Sequence, residues 1–466
     1  MSPENVDPWL DPEYRPDGSR NEMHEMDYDL QQMAVRGPEL RTSEDPPLGM
    51  PAIKAAAQDI LKEMEEGAEL DIKHTQGDRG EITNQGGQPV RATQLEHEAG
   101  MIEEDLRYSQ SLDRAYIGKK LNDRIEESMK RHLLLPDNVP LSFAIGNSGR
   151  DLFRTMHQKC LDRNFIITSQ AIGRPGIDWP GYDVPALKPT SGDRYKTDRV
   201  IYSTVNPELG FATASELEEA IQFASNNNID MKYFAVSTPG NPGLAIPHDN
   251  LKEMIKVAAQ YGVILWVDNF YGALGPEPTL NVELLRRELS PDELGHALFI
   301  DGTTKWYSSN ERLAWATAVG DHGPAVDIVR LTEQHNAPTA ATRPIGTLSV
   351  MLAYLESEKG SFEAMGELGA EVRRKIGKLG DVLRESGVPF MMSGVSYYAF
   401  INLMQFLESD AGLSRPLTVT ERMRIMEFGY APGESFMTHS GRENFARLSA
   451  AVPDESIEML NEKLNR

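Results

Sequence analysis

Residues 232–268 read KYFAVSTPGNPGLAIPHDNLKEMIKVAAQYGVILWVD. An apolar run (232–237) ends in a Pro/Gly loop, TPGNPG, and apolar residues at helical spacing follow from His248 to Tyr261 before a second apolar run, VILWVD (263–268). Strand, helix and strand in that order build a parallel sheet. Upstream, LSFAI (141–145), a Gly/Ser turn, a helical stretch and NFIITS (164–169) repeat the alternation, and downstream HALFID (296–301) adds a strand before GTTKW. After about Arg343 the periodicity is mainly helical, in TLSVMLAYLESEKG and GELGAEVRRKIGKLGDVLRESG. Strand-like YYAFINLM and FARLSAA and a last amphipathic helix then follow. The expected fold class is α/β: a mostly parallel, doubly wound sheet in a large domain, with a smaller α+β domain at the C-terminus.

The first hundred residues differ. Residues 1–50 are rich in Pro, Asp, Glu and Arg and lack apolar periodicity, which suggests an extended or partly disordered arm. PAIKAAAQDILKEMEEG (51–67) has helix formers, helical spacing and a closing glycine, a polar Gly-rich stretch follows, and a second helix is expected over Gly118 to His132. The expected division is therefore an arm at 1–50, a helical segment at 51–140, a large domain at 141–345 and a small domain at 346–466.

Composition narrows the function. The 466 residues are 40% hydrophobic and 25% charged, as in an ordinary globular chain. Seventy-one acids against 47 bases leave a formal charge of -24, a field that repels phosphate backbones and anionic lipid, so neither nucleic acid nor membrane is expected as a partner. Cys160 is the only cysteine, and the ten histidines show no metal-ligand spacing, so no metal is expected. No apolar stretch suits a signal peptide or a membrane span, and the expected address is cytoplasmic.

In doubly wound sheets ligands gather beyond the carboxyl ends of the strands. Asn241 follows one apolar run, Asp268 ends the next and Lys305 follows the third. Singly, each has an ordinary reading as turn, cap or surface residue. Together they suit one chemistry, a lysine Schiff base to pyridoxal 5'-phosphate. A deprotonated amine must attack the aldehyde, and a carboxylate must keep the pyridine nitrogen protonated so that the ring can draw electrons. The phosphate calls for backbone donors at a helix N-terminus, which IGNSGRDLF offers at Ser148, Gly149 and Arg150.

The ordered set SGRDLF, DWPGY, TPGNPG, VDNFYG, GTTKWYSSNERLAW and FARLSAA resembles the class I/II aminotransferases, fold-type I pyridoxal-phosphate enzymes typified by aspartate aminotransferase, over about residues 110–466. The resemblance implies Lys305 as the Schiff-base lysine, Asp268 as partner of the pyridine nitrogen, and Asn241 and Tyr271 as donors to the cofactor's phenolic oxygen. It implies phosphate binding by Ser148, Gly149, Arg150, Thr303 and Arg312, and a ring stacked on the cofactor, or simply packed in the core, at Trp179. Trp179 and Asn241 would also face the substrate. Arg447 would grip the substrate's α-carboxylate, with Arg442 of SGREN as the alternative register. A homodimer is implied, in which Tyr108 or Tyr116 reaches the neighbouring subunit's phosphate. The reaction implied is amino-group transfer from an α-amino acid to a 2-oxo acid, with a lyase, cyclase, oxidase or decarboxylase of the same fold as the alternative.

Three departures stand out. Gly302 occupies the place, three residues before the lysine, where the family usually has a serine. Arg312 follows Lys305 by seven residues rather than eight, and NPGLA replaces the usual threonine after the second proline. The stretch EQHNAPTAATRPIG (333–346) reads as a polar loop between domains, from which Arg343 could meet a second substrate carboxylate or serve only in a linker.

Overall fold

A computed structural model describes residues 99–104, 106, 114–161, 170–175, 200–203, 211–241, 244–275, 279–303, 305, 313–340, 345–356, 363–393, 396–402, 430–432 and 445–464. The arm and the 51–67 helix expectation lie outside them, as does NFIITS. In chain order the first elements are α1 (Arg114–His132), β1 (Leu141–Gly146), α2 (Gly149–Leu161), β2 (Gln170–Pro175), β3 (Val200–Ser203), α3 (Ala214–Asn226), β4 (Asp230–Ser237), α4 (His248–Tyr261) and β5 (Ile264–Asp268). They continue with a 3-10 turn (Gly272–Leu274), α5 (Val282–Glu288), α6 (Pro291–Leu294), β6 (Ala297–Gly302), β7 (Ala314–Val319), α7 (Pro324–Ala340), α8 (Ile345–Glu356) and α9 (Glu363–Glu385). The last are β8 (Phe390–Met392), β9 (Tyr398–Asn402), β10 (Tyr430–Pro432), β11 (Phe445–Ser449) and α10 (Asp454–Leu464).

Seven strands form one sheet in the order β1-β7-β6-β5-β4-β2-β3, and four form a second in the order β10-β11-β9-β8. In the first, β3, β2, β4, β5 and β6 run parallel and β7 runs antiparallel to its neighbours β6 and β1. The second sheet is antiparallel throughout.

The central strands are uniformly apolar because both faces are covered. Phe234, Val236, Leu265, Val267, Ala297 and Phe299 enter one core cluster with Leu217, Leu251, Ile255 and Leu285 of α3, α4 and α5. Tyr233, Ala235, Ile264, Trp266, Leu298 and Ile300 enter the other with Leu152, Phe153 and Met156 of α2 and Val326 and Val329 of α7. The period-two alternation along each strand sends neighbouring residues to opposite helical layers. β7, AWATAV, carries little strand signal in its sequence, since alanine is a poor strand former. Burial decides it: Ala314, Ala316 and Ala318 face the second cluster, Trp315 and Val319 the first.

Local chemistry marks the helix ends. Thr213 and Glu216 form a reciprocal capping box at the start of α3, and Gly262, at φ +69°, ends α4 in the left-handed region that glycine enters freely.

The polar stretch 333–346 is not the expected loop. Its first eight residues complete α7, and 341–344 lie outside the described residues. The polar side chains have a partner that sequence spacing does not show. Glu333 Oε2 accepts from the Ile145 amide at 3.2 Å, and Asn336 Nδ2 donates to the Ile145 carbonyl at 2.9 Å. α7 thus satisfies the β1 backbone at Ile145 with side chains.

Beneath the parallel sheet, His157 Nδ1 lies 2.9 Å from the Tyr233 hydroxyl, and the Tyr233 ring stacks on Trp266 with centroids 3.6 Å apart. Burial of His157 lowers its pKa from 6.5 to about 4. The folded state therefore favours the neutral ring, and this contribution to stability is fully present above pH 6.5 and is lost as pH falls through about 4. The size is about 3 kcal/mol at ~1.4 kcal/mol per pH unit. Urea unfolding of wild type and His157→Gln at pH 7 and pH 4 should show the gap between them shrinking by that order; parallel pH curves would remove the effect from His157.

Candidate active site

Because β4, β5 and β6 are adjacent and parallel, their carboxyl ends lie side by side, with Ser237 paired to Asp268 and Asp268 to Ile300. Asn241 sits in the loop after β4, Asp268 is the last residue of β5, and Lys305 follows β6. Backbone bonds fix these loops. The Thr238 amide donates to the Asp268 carbonyl at 2.7 Å, the Ile246 amide to Thr238 Oγ1 at 2.9 Å, and the Asn269 amide to the Ile300 carbonyl at 2.8 Å.

Asp268 is buried, and its Oδ1 accepts from the Phe270 amide at 3.1 Å. Lys305 Nζ lies 5.7 Å from the centre of the Tyr271 ring. The Tyr271 hydroxyl is buried without a well-formed hydrogen bond, and its ring stands edge-on to Tyr397 and Tyr398, with centroids 5.8 and 5.7 Å away. Burial, reinforced by the neighbouring tyrosine hydroxyls, holds the Tyr271 pKa well above the ordinary phenol value. Tyr271 is thus held as a protonated phenol beside Lys305.

The second sheet supplies the opposite wall. Arg447 on β11 is buried; Nη1 donates to Asn241 Oδ1 at 2.6 Å, and the guanidinium carbon sits 3.9 Å above the Tyr398 ring of β9. Desolvation strengthens both the charge-assisted hydrogen bond and the cation–π contact. For Tyr398, burial alone would raise the pKa, but the charges of Lys305 and Arg447 and the nearby Tyr271 and Tyr397 hydroxyls outweigh it and bring it below the ordinary phenol value.

On the first sheet, Ser148 Oγ caps α2 by accepting the Asp151 amide at 3.1 Å, and Asp151 Oδ2 accepts from the Asn147 amide at 3.3 Å. The amides of Gly149 and Arg150 open the helix, a geometry suited to an anion. Thr303 is buried, with its amide 3.0 Å and its hydroxyl 3.4 Å from the Leu313 carbonyl. A side chain at Gly302 would meet the Phe270 ring at 2.3 Å and the Leu313 carbonyl at 2.5 Å.

The structure thus gathers Asn241, Asp268, Tyr271, Thr303, Lys305 and Arg447 around the strand ends. Trp179, Arg312, Arg343, Arg442 and Tyr108 lie outside the described residues, as do the side chains of Arg150 and Tyr116. Phe270, Tyr397 and Tyr398 were not singled out from sequence. Phe270 had a signal in the missing side chain at 302; the paired tyrosines had none, since YYAFIN reads as an ordinary strand.

A doubly wound sheet that sets a buried acid and a lysine at neighbouring strand ends, faced by an arginine from a second sheet, is the arrangement that the resemblance to fold-type I pyridoxal-phosphate enzymes implies. The sequence profile described as "Aminotransferase class I and II" matches residues 194–464, more than half of the chain, and the chain belongs to that family. Its cofactor is accordingly pyridoxal phosphate and its reaction transamination between an amino acid and a keto acid. A search of curated protein sequences gave no match. Among solved structures, a kynurenine aminotransferase from Pyrococcus horikoshii superposes with TM-score 0.61 at 14% identity, over 87% of this chain and 93% of that one. Aspartate aminotransferase from Thermus thermophilus gives 0.57 at 15% over 93% and 100%, and an archaeal alanine:glyoxylate aminotransferase 0.58 at 15% over 94% and 98%. At such identities the likeness concerns the fold.

The crowding at Gly302 has a measurable consequence. Gly302→Ser should destabilise the fold by about 2 kcal/mol, as overpacking does. A urea midpoint equal to that of wild type would show that the close approaches to Phe270 and Leu313 do not constrain this position.

Proposed function

We propose that this aminotransferase works through Lys305, Asp268, Tyr271, Asn241 and Arg447, and the observation that carries the reading is the facing pair formed by Arg447 on one sheet and the Asp268–Lys305 strand ends on the other. The residues suit the cofactor. A buried acid ends β5, a buried tyrosine hydroxyl lacks a well-formed hydrogen bond, and α2 opens at Gly149, where backbone amides of a first helical turn suit an anion.

Pyridoxal phosphate, when bound, supplies an aldehyde that joins amines and a ring that withdraws electrons from the substrate's α-carbon. Ser148, Gly149 and Arg150 would hold its phosphate, joined by Thr303 and Arg312. Asp268 would keep a proton on its ring nitrogen, while Asn241 and Tyr271 would donate to its phenolic oxygen and Trp179 would stack on it. Lys305 would provide the amine that attaches the aldehyde and, once displaced by the substrate's amine, would serve as the base that takes and holds the proton of the substrate's α-carbon. Arg447 would bind the substrate's α-carboxylate, its edge oriented by Asn241 and one face covered by Tyr398. Fixing the carboxylate fixes which bond at the α-carbon faces Lys305, so orientation and proton transfer depend on one another.

The same reading takes the chain as a homodimer in the cytoplasm, divided into an arm (1–50), a helical segment (51–140), a large domain (141–345) and a small domain (346–466). The absence among the described residues of a helix long and apolar enough to cross a membrane is compatible with that address.

The test is turnover of a panel of amino acids with and without a keto acid. Lys305→Ala should lose about 10²–10⁴-fold in kcat, the range for a lost general acid–base group. Arg447→Lys should act mainly on KM, because an ammonium cannot replace the two-pronged grip on a carboxylate. Turnover surviving in Lys305→Ala, or proceeding at full rate without a keto acid, would overturn the assignment.

A further inference from the structure

One ring touches both halves of the cofactor seat. A Cβ at Gly149, the first residue of α2, would lie 2.5 Å from Cζ and 2.8 Å from Cε2 of Phe270, and a Cβ at Gly302 would lie 2.3 Å from Cε1 of the same ring. No other atom crowds Gly149 as closely, since its third contact, 3.5 Å, is also to Phe270. The ring is buried, and its amide is held by Asp268 Oδ1 at 3.1 Å while the preceding amide, of Asn269, donates to the Ile300 carbonyl at 2.8 Å. Phe270 is therefore anchored to the strand-end acid on one side and abuts bare backbone on the other two.

Its position accounts for the departure at residue 302. Any side chain there, a serine included, would enter the volume of the Phe270 ring.

We infer that Phe270 is a positioning residue for the cofactor's phosphate: its ring is the spacer that sets the Ser148–Arg150 turn at its distance from the strand end leading to Lys305. The inference rests on that turn being the phosphate's seat. With no hydroxyl at 302, phosphate binding depends more heavily on the backbone amides opening α2, whose placement the ring dictates. Phe270 touches no reacting atom in this account; it acts through Gly149.

The prediction concerns phosphate recognition and is read without turnover. Cofactor-free full-length protein is titrated with pyridoxal phosphate and, separately, with pyridoxal, binding being followed by quenching of tryptophan fluorescence. Wild type should prefer the phosphorylated form. Phe270→Ala should weaken pyridoxal phosphate roughly tenfold to a hundredfold, the size of one or two lost hydrogen bonds to a charged group, while leaving pyridoxal within about twofold; Phe270→Leu, which keeps more of the core filled, should fall between. Gly149→Ala should lose phosphate preference by collision with the ring, and Gly149→Ala/Phe270→Ala should bind pyridoxal phosphate better than Gly149→Ala alone. Equal weakening of both ligands in Phe270→Ala and Phe270→Leu would reduce the ring to general packing and overturn the inference, as would an unaltered preference or a double variant no better than Gly149→Ala. If wild type itself shows no preference for the phosphorylated form, the turn is not the phosphate's seat and that part of the proposed function falls too; if wild type discriminates and the Phe270 variants do so equally, only the spacer role falls.

Discussion

The bond from Arg447 Nη1 to Asn241 Oδ1, 2.6 Å long, joins the second sheet to the strand ends of the first at the proposed site. A buried guanidinium must be compensated or its desolvation destabilises the fold. Asn241 and the Tyr398 ring contribute to that compensation, one at the guanidinium's edge and one on its face. In the proposed function, substrate binding and the relation between the sheets thus share one side chain. A carboxylate arriving at Arg447 would meet a cation already held in place, and that preorganisation spares the entropy of ordering it.

Tyr271 and Tyr398 divide their roles through their surroundings. They are packed against each other and both are buried, yet burial dominates for Tyr271 while two nearby cations dominate for Tyr398. One phenol is kept a firm donor beside Lys305, and the other is made the more acidic beside Arg447. Neighbouring groups of the same chemical type are set apart by environment, a common way of giving one site both a donor and an acceptor.

Much of this was legible in the sequence, for identifiable reasons. The β4–α4–β5 unit could be read because its strands are apolar throughout and its helix ends at Gly262; the bounds of α4 coincide with His248 and Tyr261. The strand-end positions of Asp268 and Lys305 could be read because polar residues stand out there against apolar runs. β7 was hidden by its alanines, which suit a strand only because the α2–α7 layer presses closely on that face. The end of α7 was hidden by Glu333 and Asn336, polar residues spent on a strand edge rather than on water. The glycine at 302 was visible as a departure but unexplained, since its cause, the Phe270 ring, lies more than thirty positions upstream in sequence and only folding brings it there.

That use of α7 bears on assembly. An edge strand with free amides and carbonyls is an invitation to add a strand from another chain. At Ile145 both groups are already engaged by side chains of α7, so the β1 margin is closed there to sheet extension. Two copies of this chain meeting at Ile145 would have to do so through side-chain surfaces rather than by continuing the sheet there.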